Sequence, residues 1–497
     1  MKLLDYVVAV TVKFCAQHPK AERKRLGQFF TSPETAALMA ARLDLSQLGP
    51  HVTILDPGAG TGILACALIE RLAPLSTCEQ ITLVCYENDP EILPVLRANL
   101  AWLQEHSPIA LSYELRATNY ILAQVAAPRA ASDEAEPTAA AMDAFDFVIA
   151  NPPYLKLAKN APEALALPEV CYGAPNLYFL FATMSLKNLK AGGQMVYLIP
   201  RAWSSGAYFE RFRTWLCTHG ALTQLHLFER RDQVFTQEQV LQETVIITVT
   251  KTTTPPPLVT VSQSLSNGAP HTKLSVPYDL VVQGPKRYIF MPTCAADVAC
   301  LQCLGRLKYT LPRLGCKLHT GPCIDFRQRA GLRAQPETGA IPLLYAAHLK
   351  AGRVHFPQGL TSEWLIPSRP SLVQANHNYL LLKRISAKEE PRRLQAAIYL
   401  ASDLAPYAQL STDNKLGFIS GIEPLSLTQV YGLYVIFNSS SYDHYYRLLN
   451  GSTQVNASEI NALPLPDMST IEAMGQELRT AADLTSTTCE AILARFI

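Results

Sequence analysis

The amino-acid sequence predicts an α/β protein in which an open, largely parallel sheet with helices on both faces precedes an irregular α+β domain. Within the first 250 of the 497 residues, short β-branched and aromatic runs alternate with helical patterns. This alternation is typical of parallel strands joined by helices. A glycine-rich turn follows the first strand pattern, and the prolines of Thr252–Pro257 end the alternation. We therefore predict two domains, residues 1–251 and 252–497.

The individual elements follow from local hydrophobic patterns. The predicted strands are Val52–Asp56, Ile81–Glu87, Ala110–Leu115, Phe145–Ala150, Gln194–Pro200, Leu222–Glu229 and Glu243–Lys251. The predicted helices are Glu34–Leu43, Ile63–Leu72, Pro90–Glu105, Leu177–Leu189 and Tyr208–Thr218. Because no helix-length segment separates the last two strands, we expect them to be antiparallel neighbours at one edge of the sheet. We also expect a surface insertion at Ala126–Met142 and a helical tail at Thr470–Phe496.

Composition limits the class of protein. No apolar run reaches the roughly 18 residues that a membrane helix needs, and we identify no signal peptide, so we expect no membrane contact. The twelve cysteines are scattered through apolar stretches, a pattern that indicates reduced thiols in a cytoplasmic protein. Cys300 and Cys303 lack a second pair at zinc-binding spacing, and the eleven histidines show no metal spacing, so we expect no metal site.

The net charge of +2 conceals an uneven distribution. Residues 1–250 carry 20 basic and 24 acidic side chains. Residues 306–393 carry 15 basic and 5 acidic ones, a local net charge of +10. This distribution favours a polyanionic partner for the second half, although a solvated basic face would give the same count.

A glycine-rich turn runs from Asp56 to Gly62 after the first predicted strand. Its glycines, among them Gly58 and Gly60, let the backbone turn tightly and approach a ligand without a Cβ atom in the way. Such a turn could serve NAD, FAD or S-adenosylmethionine. Glu87, which ends the second predicted strand, can accept hydrogen bonds from the ribose hydroxyls of an adenosyl cofactor, although it could also be an acid at a helix start.

The most informative motif follows the fourth predicted strand, where the sequence reads Asn151-Pro152-Pro153-Tyr154. An aromatic amine is a weak nucleophile because its lone pair is delocalised into the ring. The Asn151 side-chain oxygen and the Pro152 carbonyl can accept its two N–H groups, and the prolines fix both acceptors in place. Tyr154 can stack on a planar base. The structural alternative is an Asn-Pro turn that merely ends the strand.

Together these motifs resemble the N6-adenine DNA methyltransferases of restriction–modification systems, and in particular their gamma subgroup, in which the catalytic domain precedes the target-recognition domain. The resemblance implies a methyltransferase fold that binds S-adenosylmethionine. It further implies that an adenine is flipped out of a specific duplex DNA sequence and methylated at N6. On this basis we expect a monomer on DNA, with a separately encoded restriction endonuclease acting on the same site as a candidate partner.

The resemblance also implies roles for single positions. Within the segment 27–33, Thr31 would hold the methionine carboxylate, and Asp56 would face the methionine amino group. Glu87 would bind the ribose, with Asn88 beside the adenine ring.

The resemblance implies roles for two further positions, but one of them differs from the usual family residue and the other has a structural alternative. After the third strand the family usually has Asp followed by an aromatic residue, and this Asp accepts the adenine amine. The match here is Asn119-Tyr120, so that contact would use the amide oxygen. Phe235 would stack on the flipped adenine opposite Tyr154, although its position alone favours a hydrophobe at a hairpin tip.

Extruding a base costs a few kcal/mol, which DNA contacts elsewhere must offset. The basic second half offers cations that can neutralise phosphates or read guanine edges, although each could also be an ordinary surface charge. These candidates are Arg327, Arg329, Arg384, Lys388, Arg392 and Arg393.

Three other functions would use the same motifs. A methyltransferase acting on a protein glutamine shares the Asn-Pro-Pro-Tyr chemistry, but such enzymes are much shorter and lack a large basic second domain. An RNA-base N-methyltransferase is the next alternative. A DNA-binding module on an inactive methyltransferase fold is disfavoured by the intact cofactor and catalytic motifs.

Overall fold

The computed structural model describes residues 2–18, 30–46, 48–126, 144–229, 243–265, 270–387 and 389–497. The chain divides into two compact units, Met1–Cys294 and Ala295–Ile497. Across these described ranges, no helix is long and apolar enough to cross a bilayer.

The first unit is built around a nine-stranded mixed sheet. Its strands are β1 (His51–Asp56), β2 (Gln80–Tyr86), β3 (Ala110–Arg116), β4 (Phe145–Ala150), β5 (Leu189–Pro200), β6 (Ala221–Phe228), β7 (Thr244–Thr250), β8 (Leu258–Ser264) and β9 (Thr272–Pro277). They stand in the order β3-β2-β1-β4-β5-β7-β6-β8-β9. The first five strands are parallel, whereas β7 runs antiparallel between β5 and β6. β8 pairs in parallel with β6, and β9 pairs antiparallel with β8.

Helices cover this sheet, and a two-stranded ribbon of β10 (Val282–Gln283) and β11 (Tyr288–Ile289) completes the unit. The helices are α1 (Leu3–Gln17), α2 (Pro33–Ala40), α3 (Ile63–Leu72), α4 (Leu93–His106), α5 (Tyr120–Ala126), α6 (Pro162–Ala166), α7 (Leu177–Asn188), α8 (Glu210–His219) and α9 (Tyr278–Val281). α2 begins where the Ser32 hydroxyl accepts the Thr35 amide, a typical N-cap. Buried side chains of α2, α3 and the first four strands form one apolar core.

The predicted elements of this unit are present, with small differences at their ends. β6 and β7 are antiparallel neighbours as predicted, but they do not form an edge, because β8 and β9 extend the sheet. The prolines of Thr252–Pro257 lie in the connection between β7 and β8. The boundary predicted at 251/252 therefore falls inside the sheet, and the compact units divide at 294/295 instead. The predicted insertion beyond Ala126 lies outside the described residues.

A buried polar network ties β6 to β8. Arg42 donates to the Ser262 hydroxyl at 2.8 Å and to His226 Nδ1 at 2.9 Å. Burial lowers the pKa of His226 to about 3, so its ring is neutral near pH 7 and accepts at Nδ1. The protonated Nε2 atom then donates to the Ser264 hydroxyl, which lies 3.0 Å away. All four side chains are buried, so loss of one partner would leave buried polar atoms unsatisfied.

The second unit has the irregular α+β architecture that the sequence predicts. Its strands are β12 (Cys316–Thr320), β13 (Leu332–Arg333), β14 (Ile341–Leu344), β15 (Leu349–Lys350), β16 (Arg353–Val354), β17 (Trp364–Leu365), β18 (Gln374–Ala375), β19 (Tyr379–Lys383), β20 (Ala396–Tyr399), β21 (Gln409–Thr412) and β22 (Leu416–Gly421). They form one sheet in the order β12-β22-β19-β20-β16-β15 and another in the order β13-β17-β14-β21-β18.

Among the described residues of this unit, one α-helix precedes the strands along the chain, and the other five follow them. These helices are α10 (Ala295–Gly305), α11 (Leu427–Asn438), α12 (Ser440–Leu449), α13 (Ala457–Ile460), α14 (Met468–Thr480) and α15 (Ser486–Leu493). The predicted helical tail is therefore present as two helices, α14 and α15. α11 and α14 pack closely through Gly432 and Gly475, because a Cβ atom at either position would overlap the backbone of the other helix.

Candidate functional site

A cavity of about 540 Å³ lies in the first unit, among the residues that follow the carboxyl ends of β1 to β4. Open α/β sheets bind their ligands at this edge. Asn151 of the predicted catalytic motif lines the cavity. Six of the eight predicted cofactor residues line it as well, namely Gly58, Gly60, Glu87, Asn88, Asn119 and Tyr120. The structure thus brings together patterns from four separate strand ends.

The turn after β1 shapes one wall of the cavity. Gly60 adopts a left-handed backbone with φ of +54°, a conformation that favours glycine. A Cβ atom at Gly60 would lie 3.4 Å from the ring of Phe30, which also lines the cavity. The turn therefore lets the backbone and the Phe30 ring meet closely.

Glu87 follows β2 and is held by three backbone amides. Its Oε2 atom accepts from the amide of Gly60 at 3.0 Å, and its Oε1 atom accepts from the amides of Asn88 and Asp89 at 2.8 and 2.9 Å. Burial raises the pKa of Glu87, and the amides act in the opposite direction by favouring the carboxylate. A carboxylate has about four lone-pair positions, so this one keeps capacity for a ligand hydroxyl.

Asp56 ends β1 with no exposed surface, directly before the cavity-lining residues Pro57 and Gly58. No donor among the described residues makes a well-aligned hydrogen bond to either of its carboxylate oxygens. Burial raises the pKa of this carboxyl to about 7, against the effect of the nearby Gly58 and Ala65 amides. A buried acceptor of this kind needs a donor. The site therefore fits a cofactor that carries both an amino group and a ribose.

The motif after β4 places Asn151 on the cavity wall and fixes its orientation. The Asn151 Nδ2 atom donates to the hydroxyl of Thr31 at 3.1 Å. The Tyr154 hydroxyl lies 3.0 Å from both Asn151 Oδ1 and the carbonyl oxygen of Leu198. Burial raises the pKa of Tyr154 well above its usual value, so its hydroxyl remains a donor. Thr31 does not line the cavity, but it connects the predicted cofactor segment to the motif.

Tyr154 meets the site through its hydroxyl in this structure. Its ring packs against the apolar core and meets the Tyr178 ring edge to face, with centroids 6.1 Å apart. Neither Tyr154 nor the buried Pro152 is among the residues that line the cavity. Phe235, the predicted partner on the other face of the base, lies outside the described residues.

Asn119, which follows β3, contacts a residue that the sequence analysis did not single out. The Asn119 Oδ1 atom accepts from the amide of Leu122 at 3.1 Å and so caps α5. Its Nδ2 atom donates to Glu163 Oε1 at 2.8 Å. Glu163 lies on α6 and lines the cavity. A single glutamate in an unpredicted five-residue helix has no sequence signal that would separate it from a surface charge.

Comparison with known proteins places the chain in a family. Residues 90–235 match the family described as Eco57I restriction-modification methylase. Over 469 residues the chain is 32% identical to the Type II methyltransferase M.PstI of Providencia stuartii, and the match covers 92% of this chain and 90% of that protein. The chain belongs to the Type II methyltransferases of restriction–modification systems. The predicted resemblance is thereby confirmed.

A second Type II methyltransferase, M.BsuBI of Bacillus subtilis, is 28% identical over 474 residues, which cover 91% of this chain and 90% of that protein. The solved structure of the Type IIL restriction-modification enzyme MmeI, in complex with DNA, matches with a TM-score of 0.53 and 11% identity. That match covers 99% of this chain and 73% of MmeI, and at such identity it shows the fold alone. The predicted α/β methyltransferase fold is confirmed.

In the second unit of this Type II methyltransferase, the predicted DNA-contacting cations differ in their surroundings. Arg327 and Arg329 are exposed. The Arg327 guanidinium lies 5.6 Å from the centre of the Phe326 ring, which is itself 60% exposed. Arg384 is half-buried and donates to a backbone carbonyl at 3.0 Å. Lys388 lies outside the described residues.

Arg393 lies in the interior of the second unit, where its side chain forms several hydrogen bonds. It has no exposed surface, and its guanidinium donates to the Ser386 hydroxyl, the Asn450 side-chain oxygen and the Ser452 carbonyl at 3.0, 3.2 and 2.6 Å. A buried guanidinium cannot reach a phosphate while this packing persists. The prediction that Arg393 contacts DNA is therefore wrong.

Arg392 is engaged at the end of α11. Its guanidinium donates to the carbonyl of Ser439 at 3.0 Å and to the hydroxyl of Ser486 at 2.7 Å. A cation that satisfies carbonyls at the end of a helix stabilises that end. The prediction that Arg392 contacts DNA overlooked this structural role.

The paired cysteines lie on α10. Burial raises the pKa of Cys300 to about 12, and its sulfur lies 3.6 Å from the carbonyl oxygen of Ser441. In the described part of the chain, no group of three His, Cys, Asp or Glu side chains is arranged to hold a metal ion.

Proposed function

We propose that this Type II methyltransferase transfers a methyl group from S-adenosylmethionine to N6 of an adenine flipped out of a specific duplex DNA sequence. The observation that carries the proposal is the position of Asn151 on the wall of the same cavity as the glycine turn and Glu87. Methylation of the site would protect it from a restriction endonuclease of the same specificity, which we expect to be encoded separately.

Asn151 and Pro152 would activate the target amine. The bond from Asn151 Nδ2 to Thr31 orients the amide, and its Oδ1 atom meets the Tyr154 hydroxyl. Hydrogen bonds from the amine to Oδ1 and to the Pro152 carbonyl would draw its nitrogen toward tetrahedral geometry and free the lone pair. The prolines would restrict the freedom of both acceptors, which reduces the reorganisation that the reaction needs. The methylated amine can then release its proton to water.

The surrounding residues would hold the cofactor. S-adenosylmethionine supplies an electrophilic methyl group on its sulfonium when it is bound. Asp56 would pair with the methionine amino group, Thr31 with the carboxylate and Glu87 with the ribose hydroxyls, while Asn88 and Tyr120 would flank the adenine ring. Since Thr31 also accepts from Asn151, it would couple cofactor binding to the orientation of the catalytic amide.

The flipped base would lie between Tyr154 and Phe235, with Tyr154 anchored through its hydroxyl. The second unit would supply affinity for the DNA backbone. Its exposed Arg327 and Arg329, beside the exposed ring of Phe326, are the described candidates for that contact. We expect the chain to act on DNA as a monomer.

A labelling experiment tests the proposal. The purified full-length chain and its Asn151→Ala variant would be incubated with tritiated S-adenosylmethionine and, separately, with duplex DNA, total RNA or a protein extract. We expect label in DNA alone, as N6-methyladenine within one sequence, and none with the variant. Label in cytosine would contradict adenine as the target. Label in RNA or in protein glutamine, but not in DNA, would overturn the proposed substrate.

A further inference from the structure

Glu163 has no part in the chemistry described so far, although it faces the cavity. It lies in the first turn of α6, in the segment between the catalytic motif and α7. Its Oε1 atom accepts from Asn119 Nδ2 at 2.8 Å. A carboxylate that uses one oxygen in this way still presents acceptor positions on the other.

Asn119 is held at both ends of its amide. Its oxygen accepts from the Leu122 amide at 3.1 Å and caps α5, while its nitrogen donates to Glu163. These two hydrogen bonds fix the orientation of the amide and connect α5 to α6. Hydrogen bonding by the Asn119 oxygen to a ligand would have to compete with the helix cap.

The position of this pair indicates which part of an adenosyl cofactor it meets. β3 is the neighbour of β2 in the sheet, so the cavity continues from Glu87 toward Thr118, Asn119 and Tyr120. With the ribose at Glu87, the attached purine extends toward the β3 end. The exocyclic amine of adenine is a hydrogen-bond donor, and a site that binds it without an acceptor would leave that donor unsatisfied.

Tyr120 does not provide this acceptor. Its side chain is buried, and its hydroxyl lies 3.2 Å from both the Ser185 hydroxyl and the Asn188 side-chain oxygen. The tyrosine can therefore offer a ring edge and a backbone amide, but its hydroxyl is engaged elsewhere. Three of the carboxylates that line the cavity follow β2, namely Glu87, Asp89 and Glu91. Glu163 is the lining carboxylate that contacts the residue after β3.

We propose that Glu163 accepts a hydrogen bond from the exocyclic amine of the cofactor's adenine, and that Asn119 positions Glu163 for this contact. The inference rests on the proposed cofactor but not on the proposed methyl acceptor. It moves the recognition of the amine from the residue after β3 to a carboxylate on α6. Glu163 would thus set the specificity for adenine over purines that carry an oxygen at the same position.

Calorimetric binding to the full chain tests this assignment without any methyl transfer. The two probes are S-adenosylhomocysteine and S-inosylhomocysteine, in which a carbonyl oxygen replaces the amine. We expect the unaltered chain to prefer the adenosyl ligand by at least about tenfold, because the carbonyl would face a carboxylate. In Glu163→Ala, adenosyl affinity should fall about tenfold while inosyl affinity is retained, which also reports an intact site.

The isosteric variant gives the sharper result. In Glu163→Gln, the new side-chain oxygen can still accept from Asn119, so its NH₂ group would face the ligand. That variant should prefer S-inosylhomocysteine, which reverses the preference of the unaltered chain. The matched control is Glu169→Gln, because Glu169 pairs with Lys187 and does not line this cavity. The control should leave both affinities unchanged.

Two results would overturn the proposal, and they can be told apart. If Glu163→Ala and Glu163→Gln keep the original preference while Asn119→Ala loses it, the amine is read by Asn119. If the unaltered chain binds neither probe, the proposed cofactor is wrong as well. A failure to methylate adenine in DNA would leave the binding preferences intact and would affect the proposed function alone.

Discussion

The two units of the chain present their functional residues in different ways. In the first unit, the site residues are far apart in sequence, but each follows a strand, and parallel strands bring their carboxyl ends to one edge of the sheet. In the second unit, the candidate residues share a positive charge but not an environment. Arg327 is exposed, whereas Arg393 is buried. Position at a strand end is therefore a better guide to a site than charge.

The largest effect on activity should come from a residue of the first unit that follows a strand. Asn151→Ala removes one preorganised acceptor of the target amine, so turnover should fall about a hundredfold or more, while S-adenosylhomocysteine still binds. Single-turnover methylation and calorimetry measure the two quantities. The matched control is Asn160→Ala, an exposed asparagine in the same loop, which should retain normal turnover. Turnover above about half of normal in Asn151→Ala would show that position at the strand end does not confer a catalytic role here.

The second prediction contrasts two arginines of the basic half. Arg393→Ala removes a buried guanidinium together with its hydrogen bonds to the Ser452 carbonyl and the Asn450 side-chain oxygen, so we expect a loss of about 3 kcal/mol in the free energy of unfolding. Arg329→Ala should change that free energy by less than about 0.5 kcal/mol, because its side chain is exposed. Urea unfolding provides the measurement. Equal stability of the two variants would remove the distinction between buried and exposed cations.

The third prediction concerns pH and Asp56. Its carboxyl has a pKa of about 7 in the folded chain and near 4 when unfolded, so it disfavours folding increasingly as pH rises from about 4 to 7. The ionised form is the one that would pair with the cofactor's amino group. Affinity for S-adenosylhomocysteine should therefore rise up to about tenfold from pH 6 to 7.5. In Asp56→Asn the rise should disappear, and an unchanged pH profile in that variant would contradict the assigned role.

The fourth prediction asks whether exposed cations of the second unit bind DNA. Replacing both Arg327 and Arg329 by alanine should weaken duplex binding about tenfold and reduce the log–log salt slope by about 2, since each phosphate contact contributes roughly 0.9. Titrations at several salt concentrations test this. Arg479→Ala, at an exposed position on α14, is the matched control and should change neither quantity. An equal loss in the control would mean that overall charge, rather than this surface, determines affinity.

The smallest effect should come from removing the Tyr154 hydroxyl, and a second variant distinguishes its role from that of the ring. Tyr154→Phe keeps the ring and removes the hydroxyl that meets Asn151, so kcat should fall about fivefold, as expected for one hydrogen bond, with KM for DNA unchanged. Tyr154→Ala also removes the ring and should raise KM if the ring stacks on the flipped base. A normal kcat in Tyr154→Phe would indicate that Thr31 alone is enough to orient Asn151.

Sequence patterns predicted which residues lie together where a chemically distinctive residue directly follows a buried parallel strand. The glycine turn, Glu87 and Asn151 each follow a buried strand with its own signature, and the parallel sheet then determines that they converge. The role of Asn119 was only partly predicted, because its bond to Glu163 depends on where α6 packs. A contact between a helix cap and a short helix elsewhere in the chain leaves no periodic trace in the sequence.

Burial of charged residues was the main source of error. Arg392 and Arg393 lie in a basic cluster that is typical of a polyanion-binding surface. Apart from Ser386, the partners named above come from segments about 45 to 95 residues further along the chain, including Asn450 and Ser486. Charge counting cannot detect such acceptors, which exist only after the second unit has folded.

The network of Arg42, His226, Ser262 and Ser264 limits how this chain can be recombined with its relatives. A crossover in the prolines of Thr252–Pro257 looks convenient on the sequence, but it would exchange β8 and separate Arg42 and His226 from their serine partners. It would also leave β6 as an unpaired edge whenever the incoming strand did not match. A crossover after residue 294 keeps the whole sheet with its own catalytic residues. Exchange of the second unit, which we propose to bind the DNA, should therefore preserve the fold at that junction and disrupt it at the prolines.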